Sequence, residues 1–398
     1  MKNKINNIFS LMQLIGINLI IFLFLFILIN FLLYTYELYS ENRGLMVVST
    51  QPNPWYDKYG PELLSKIYPD LNLAEINTLL NETYLARTKY MPFSHFSNEE
   101  TTGKYFNIHP AGFRSLGKNQ ANWPPPGDSI NIFMFGGSTT LGVGVSDEST
   151  VASHLQAILR NKFNRNINIY NFGVGSHFST NERSLYEYFL TSGIIPNKVI
   201  FLDGLNDMYF YEGIPPHTKF LENSFTRLYD NENKSWNLNI YAGVMNMPIG
   251  RVVKNMFFTN KSKLMEVQSV NENLVSDPNN IKLAIRKYVN NVILSESASR
   301  AFGVDPHFII QPVPFYKYPK YTELILDFGA EVGQHKRSLY AYPSFVLLPE
   351  TKLKGFPVTS CAEIFSKSQS RLYVDHVHYN NLGNLLLARC IADSIYIN

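Results

Sequence analysis

The chain opens with an unbroken apolar run and settles only later into short blocks with a period. From Ile8 to Tyr34 there is no charged residue; as a helix this stretch is about 40 Å long, against roughly 30 Å of hydrocarbon in a bilayer. From Ser129 onward, apolar runs of strand length alternate with segments of helical spacing. "INIFMF" is a buried-strand run, "TVASHLQAILRNKF" a helix, "INIYNFG" a second strand, "STNERSLYEYFLTSG" a helix and "KVIFLDG" a third strand. After an interruption, "PNNIKLAIRKYVNNVILSESASRAFG" reads as a long helix, "HFIIQPVP" as a fourth strand and "NNLGNLLLARCIADSIYI" as the last helix. Strands separated by helices predict a parallel sheet covered on both faces, an α/β fold. Ser179 or Thr180 is the expected cap of the fourth segment, with Gly193 near its end.

Three divisions follow. Residues 1–36 form a cytoplasmic stub and a membrane-spanning helix. Residues 37–128 are expected to form an extracytoplasmic arm packed on the domain that follows, with a helical pattern broken by prolines. Residues 129–398 form the α/β domain, carrying a polar, Asn-rich insertion at about 208–275. Residues 315–370 read as irregular. No repeat of 20 to 50 residues recurs.

Composition narrows the class. The chain has 398 residues, 45% of them hydrophobic and 14% aromatic, which is a globular balance. Net charge is only +3 and no long basic run appears, so nucleic acid is not an expected partner. Lys2 and Lys4 precede the apolar run; Tyr34, Tyr36 and Tyr39 follow it as an interfacial belt. This orientation leaves the N-terminus in the cytoplasm and the rest outside. A cleaved signal peptide is the rival reading, with a shorter apolar core and a small-residue cleavage site that this stretch lacks. The two cysteines, Cys361 and Cys390, either pair or leave Cys390 as a small core residue; the sequence leaves both open.

Candidate chemistry lies at the strand ends. "FGGSTTLG" puts Ser138 between a strand and a helix N-terminus, where free N–H groups and the positive dipole end lie. Alone this is an ordinary helix start. "NFGVGSHFS" follows the second strand with a glycine turn, "DGLND" brings Asn206 to the end of the third, and "YVDHVHYNNLG" spaces Asp375 and His378 as D-x-x-H. A hydrolytic serine needs a base, an orienting carboxylate and oxyanion donors, and the chain offers a candidate for each. No G-x-S-x-G elbow is present, and the order Ser, Asp, His differs from the chymotrypsin and subtilisin orders.

These four blocks resemble the SGNH (GDSL-like) hydrolase family over about residues 129–398. The resemblance implies a flavodoxin-like three-layer α/β/α sandwich behind the membrane helix. It implies Ser138 as nucleophile, with glycine in place of the usual aspartate before it, and Asn206 as oxyanion donor. It implies Asp375 as orienter and His378 as base. In the second block Ser176 aligns with the family's oxyanion glycine and Gly175 precedes it, so either backbone N–H is the donor. The implied activity is ester hydrolysis without metal or cofactor, and the outer-face address favours an acylated envelope glycan as substrate. The first alternative is an O-acyltransferase using the same site on a cell-surface polysaccharide, with a membrane partner that delivers the acyl group. The second is a non-catalytic binding module, which has no need to keep all four residues. His376 and His378 form H-x-H, but no further His, Cys or Asp cluster accompanies them for a metal. Asp203 and Asp207 are expected to be structural or solvated rather than catalytic, and Arg114 to pack the arm onto the domain, with contact to an acidic substrate group as its alternative.

Overall fold

A computed structural model describes residues 2–42, 54–210, 247–250, 275–319 and 333–397. Most of the insertion expected at about 208–275 lies outside these residues. Contacts divide the chain into two compact units, residues 1–52 with 222–266, and residues 53–221 with 267–398. In the first unit, α1 runs from Lys2 to Asn42. Its segment Met12–Tyr36 has mean hydropathy 2.8, long and apolar enough to cross a membrane. The polar side chains inside it bond back to the helix: Asn18 to the Leu14 carbonyl and Asn30 to that of Phe26.

The second unit holds the remaining elements. Two helices, α2 (Pro54–Ile67) and α3 (Leu73–Tyr84), precede a hairpin of β1 (Thr88–Met91) and β2 (His95–Asn98). Then come β3 (Ile130–Gly136), α4 (Ser138–Leu141), α5 (Val151–Phe163), β4 (Ile167–Asn171), α6 (Ser179–Thr191), β5 (Lys198–Asp203) and α7 (Leu205–Tyr209). The last described elements are α8 (Pro278–Ala301), β6 (Asp305–Ile310), α9 (Arg337–Phe345), β7 (Val358–Ser360) and α10 (Asn381–Ser394).

Five strands form one wholly parallel sheet in the order β4-β3-β5-β6-β7. Numbered within the sheet this is 2-1-3-4-5, the flavodoxin-like doubly wound order. The expected α/β/α sandwich is therefore the observed fold. Each strand sends its side chains to two faces of different character. Phe133, Phe135, Tyr170, Phe172, Phe201 and Phe308 form an aromatic core with residues of α6 and α8. Ile132, Met134, Ile167, Ile169, Ile200 and Ile309 form an aliphatic one with residues of α5 and α10.

Two expectations need correction, and one open question is answered. Residues 315–370 are not irregular throughout: they contain α9 and the edge strand β7, which is only three residues long and too short to leave a run in the sequence. Ser179 and Thr180 do not cap α6; the cap position is Phe178, and the Ser179 hydroxyl donates instead to Asp207 Oδ1 at 2.5 Å. The question left open for the cysteines is answered, since Cys361 and Cys390 form a disulfide from the loop after β7 to α10.

Candidate active site

In a doubly wound sheet the chain reverses direction between its first and third strands, and a crevice opens at their carboxyl ends. Here those strands are β3 and β5. Ser138 is the first residue of α4, directly after β3, and Asn206 is the second residue of α7, directly after β5. As a first helical residue, Ser138 has a backbone N–H with no acceptor inside its helix.

The approach of the two strand ends explains the glycine before the serine. A Cβ at Gly137 would stand 2.3 Å from Asn206 Nδ2 and 3.1 Å from the His177 carbonyl oxygen. No side chain fits there, and an aspartate least of all. The Asn206 amide is also tethered, because Nδ2 donates to the His177 carbonyl at 2.6 Å. An amide NH2 carries two donors, so one N–H remains beside Gly137. The turn before His177 is the one that contains Gly175 and Ser176. It closes through His177 N–H to the Val174 carbonyl at 3.1 Å, and Ser176 has φ 65°, in the left-handed region that favours glycine. The position matching the family's glycine thus keeps a glycine-like backbone while carrying a serine.

Asp375 and His378 come together through local chain geometry. They lie in a tight loop between Tyr373 and Tyr379, which pair across it as an antiparallel bridge. Asp375 Oδ1 accepts the N–H groups of Val377 (2.8 Å) and His378 (2.7 Å), an Asx-type turn. The same turn brings the imidazole back, with His378 Nδ1 2.6 Å from Asp375 Oδ2. Asp375 is fully buried. Burial pushes its carboxyl up, but the charge of His378, the bonds from His378 and the charge of His376 outweigh it and hold the group well below the ordinary carboxylate range. The far nitrogen of the imidazole, His378 Nε2, is buried and meets no hydrogen-bonding partner among the described residues.

A short chain of bonds ties this loop to the serine turn. Thr139, next to Ser138, donates to Gln311 Oε1 at 2.9 Å, and the carbonyl of the following residue, Pro312, accepts Tyr379 Oη at 2.6 Å. Tyr379 is the neighbour of His378. Asn206, His177 and Gly137 are thus in direct contact, and the neighbours of Ser138 and of His378 are tied to adjacent residues after β6.

The other candidates fall outside this set. The His376 ring faces His335, with centroids 5.5 Å apart, while His378 turns to Asp375. Among the described residues no group of three or more His, Cys, Asp or Glu side chains is arranged to hold a metal. Asp203 and Asp207 are buried beside Glu182. Burial, then the charge of Asp203, lifts Glu182 well above its ordinary value; burial, then Asp207, does the same to Asp203. Arg114 is completely buried and binds Asp147. Sequence reasoning missed two contributors. Tyr84 donates to Asp375 Oδ2 at 2.6 Å. His335 stacks near Tyr209, ring centroids 4.4 Å apart, and burial with the nearby histidines holds its imidazole well below the usual range. No motif marks either residue.

No protein-family profile matches the chain, and no curated protein matches it. Solved structures do match, among them many GDSL/SGNH hydrolases and esterases. The esterase EstA from Pseudoalteromonas sp. is 14% identical, over 67% of this chain and 96% of its own, with TM-score 0.35. The acetylxylan esterase Axe2 from Geobacillus stearothermophilus is 11% identical, over 69% of this chain and 97% of its own, with TM-score 0.37. A member of the lipolytic G-D-S-L family from Veillonella parvula is 11% identical, over 66% and 96%, with TM-score 0.34.

Proposed function

We propose that the protein is a membrane-anchored serine esterase of SGNH type, with Ser138, His378 and Asp375 as its triad. The observation that carries this reading is the imidazole of His378. Its Nδ1 is fixed on the buried Asp375, and its Nε2 has no hydrogen-bonding partner among the described residues. A base held in one tautomer with its other nitrogen free is what proton abstraction from a serine requires.

In this mechanism Ser138 Oγ attacks the ester carbonyl and its proton passes to His378 Nε2. The oxyanion is met by the N–H groups of Ser138 and of Gly175 or Ser176, and by the second N–H of Asn206 Nδ2. The C–O bond to the alcohol breaks as His378 returns the proton to it. Water, deprotonated by the same nitrogen, then releases the acid from Ser138. No step calls for a metal or cofactor.

Two features support an address outside the cytoplasm: the apolar span preceded by Lys2 and Lys4, and the disulfide, since such bonds persist in oxidising compartments. That address favours an O-acylated envelope glycan as substrate. The full chain in mild detergent is expected to hydrolyse short-chain aryl esters. Ser138→Ala and His378→Ala abolish this, Asp375→Asn lowers it strongly, and His376→Ala and chelators leave most of it. Turnover that survives Ser138→Ala but not chelation overturns the serine reading. Ser138 acylated by a donor, with no ester cleaved, replaces hydrolysis with acyl transfer.

A further inference from the structure

The N-terminal segment reaches into the candidate triad. Tyr84 is the last residue of α3, 291 positions from Asp375, yet its hydroxyl donates to Asp375 Oδ2 at 2.6 Å. This oxygen is the one that holds His378 Nδ1, also at 2.6 Å. The Tyr84 ring stands edge-on to the imidazole, with centroids 5.8 Å apart and planes at 90°. On its other side it packs against the cluster of Phe106, Ile108, Leu141 and Val143, and Leu141 ends the helix that Ser138 begins.

A second phenol braces the same place. Tyr68 donates to the Gly144 carbonyl at 2.9 Å. Gly144 has φ 83°, and a Cβ there would lie 2.6 Å from Val374 Cγ2, 3.4 Å from Tyr68 Oη and 3.5 Å from Tyr84 Oη. The loop after the serine helix, the residue before Asp375 and two phenols of the N-terminal segment therefore meet at one glycine.

We infer that Tyr84 is a positioning residue of the triad, setting the orientation and the basicity of the Asp375–His378 pair from the N-terminal segment. The inference rests on the proposed triad. Asp375 accepts four hydrogen bonds, two on each oxygen, and the one from Tyr84 competes with His378 Nδ1 for the same oxygen. The two donors share that oxygen's negative charge, so loss of the phenol would leave more of it for the imidazole. Burial and the Asp375 charge hold the Tyr84 phenol far above its ordinary range, so it stays a donor throughout. The titratable groups facing the pair are Tyr59, Tyr68 and Tyr84 from the N-terminal segment, His376 from the loop itself and His335 from residues 333–336. Of these, Tyr84 is hydrogen-bonded to Asp375.

The test is Tyr84→Phe in the full chain, read in two ways. By NMR of labelled histidine, the His378 titration is expected to move up by about half a pH unit or more, as one of four charge-assisted bonds to its partner is lost. In turnover of an aryl ester, kcat is expected to fall about 3- to 10-fold with KM nearly unchanged, and the acid limb of kcat/KM to move up with the titration. Tyr68→Phe removes a phenol of the same segment that is bonded to Gly144 rather than Asp375, and is expected to leave the His378 titration in place. An unmoved His378 titration in Tyr84→Phe overturns the inference, whatever the activity. Equal shifts in both variants overturn it too, since they would mark general loosening. The triad fails separately, by turnover that survives Ser138→Ala.

Discussion

Replacing Arg114 by Met removes the cation at the junction between the N-terminal segment and the serine helix. Arg114 is fully buried and its guanidinium is saturated. Nε donates to Asp147 Oδ1 at 2.9 Å, Nη1 to the carbonyls of Leu141 (2.7 Å) and Gly142, and Nη2 to those of Val145 (2.6 Å) and Tyr105 (3.3 Å). Leu141 and Gly142 supply the carbonyls at the end of α4, so this one side chain satisfies the C-terminus of the helix that Ser138 starts. The backbone of Arg114 is fixed as well, by its N–H to the Asn171 carbonyl at 2.8 Å. Methionine keeps the length and loses every bond. It leaves Asp147 buried with only Asn107 to answer it, and breaking a buried pair in this way costs about 3–5 kcal/mol. In a domain this large, about 2 °C is lost per kcal/mol, so thermal unfolding of the full chain in detergent is expected roughly 6–10 °C lower. Because much of the penalty is the stranded carboxylate, Asp147→Asn should return part of it. The double variant is expected to be more stable than the sum of the two single losses by about 1–2 kcal/mol. A midpoint within 2 °C of the parent for Arg114→Met refutes the reasoning, and so do strictly additive losses.

Gly137→Ala is expected to lower kcat by about 10- to 1000-fold and to lower the thermal midpoint as well, because the new Cβ displaces Asn206 Nδ2 and presses on the His177 carbonyl; unchanged turnover removes Asn206 from the proposed oxyanion site. Glu182→Gln is expected to gain stability over the parent as pH rises. The raised carboxyl of Glu182 contributes stability that is complete below about pH 4 and is lost as pH climbs through its folded value, and glutamine has no such loss; an equal difference in midpoint at pH 5 and pH 8 contradicts this. Asp375 acts in the opposite sense. Its lowered value gives stability that is present above about pH 4 and is lost on acidification, so Asp375→Asn should narrow the parent's acid transition, seen by circular dichroism. Cys361→Ser with Cys390→Ser opens a loop with a sequence separation of 29, worth about 3–4 kcal/mol on loop entropy, and is expected to lower the midpoint by several degrees; free thiols in the unreduced parent would contradict the pairing.

How much of this was legible depends on the range of the interactions. Four strands announced themselves because a parallel strand buried on both faces leaves an unbroken apolar run. The pairing of Asp375 with His378 was legible because an Asx turn of three residues is local and the spacing writes it. The strand order was legible only through resemblance, yet it brings Ser138 and Asn206 to the same crevice. Tyr84 was not legible. Its partner is 291 residues away, and a tyrosine ending an amphipathic helix has the pattern of any packing residue. Ser179 was misread because a serine at a helix start usually caps it, whereas here a buried carboxylate took the hydroxyl. The glycine at 137 departs from the resemblance for a reason visible only in three dimensions, the closeness of Asn206.

Apart from Asp147, which pairs with Arg114, four buried carboxyls lie at or near this sheet edge, and their surroundings divide them into two kinds. Asp375 meets two backbone N–H groups, a phenol and an imidazole, all donors, and it remains ionised despite full burial. Glu182, Asp203 and Asp207 face one another instead. Burial pushes Asp207 up to about 6 even though Ser179 and the Gly204 N–H donate to it, and its two neighbours are lifted further. Only an ionised carboxylate can stabilise an imidazolium, so the acid of the proposed triad is expected from the first environment. Asp203 and Asp207 are closer in sequence to Asn206, but they are in the wrong electrostatic state for the task. Their carboxyls lie among Gly137, His177, Asn206 and Gln311, around a small cavity of about 10 Å³, room for about one water molecule. They form part of the polar wall behind Asn206. The contrast between Asp375, whose carboxyl is held down by its donors, and Glu182, Asp203 and Asp207, whose carboxyls burial lifts, is what assigns Asp375 to the proposed triad.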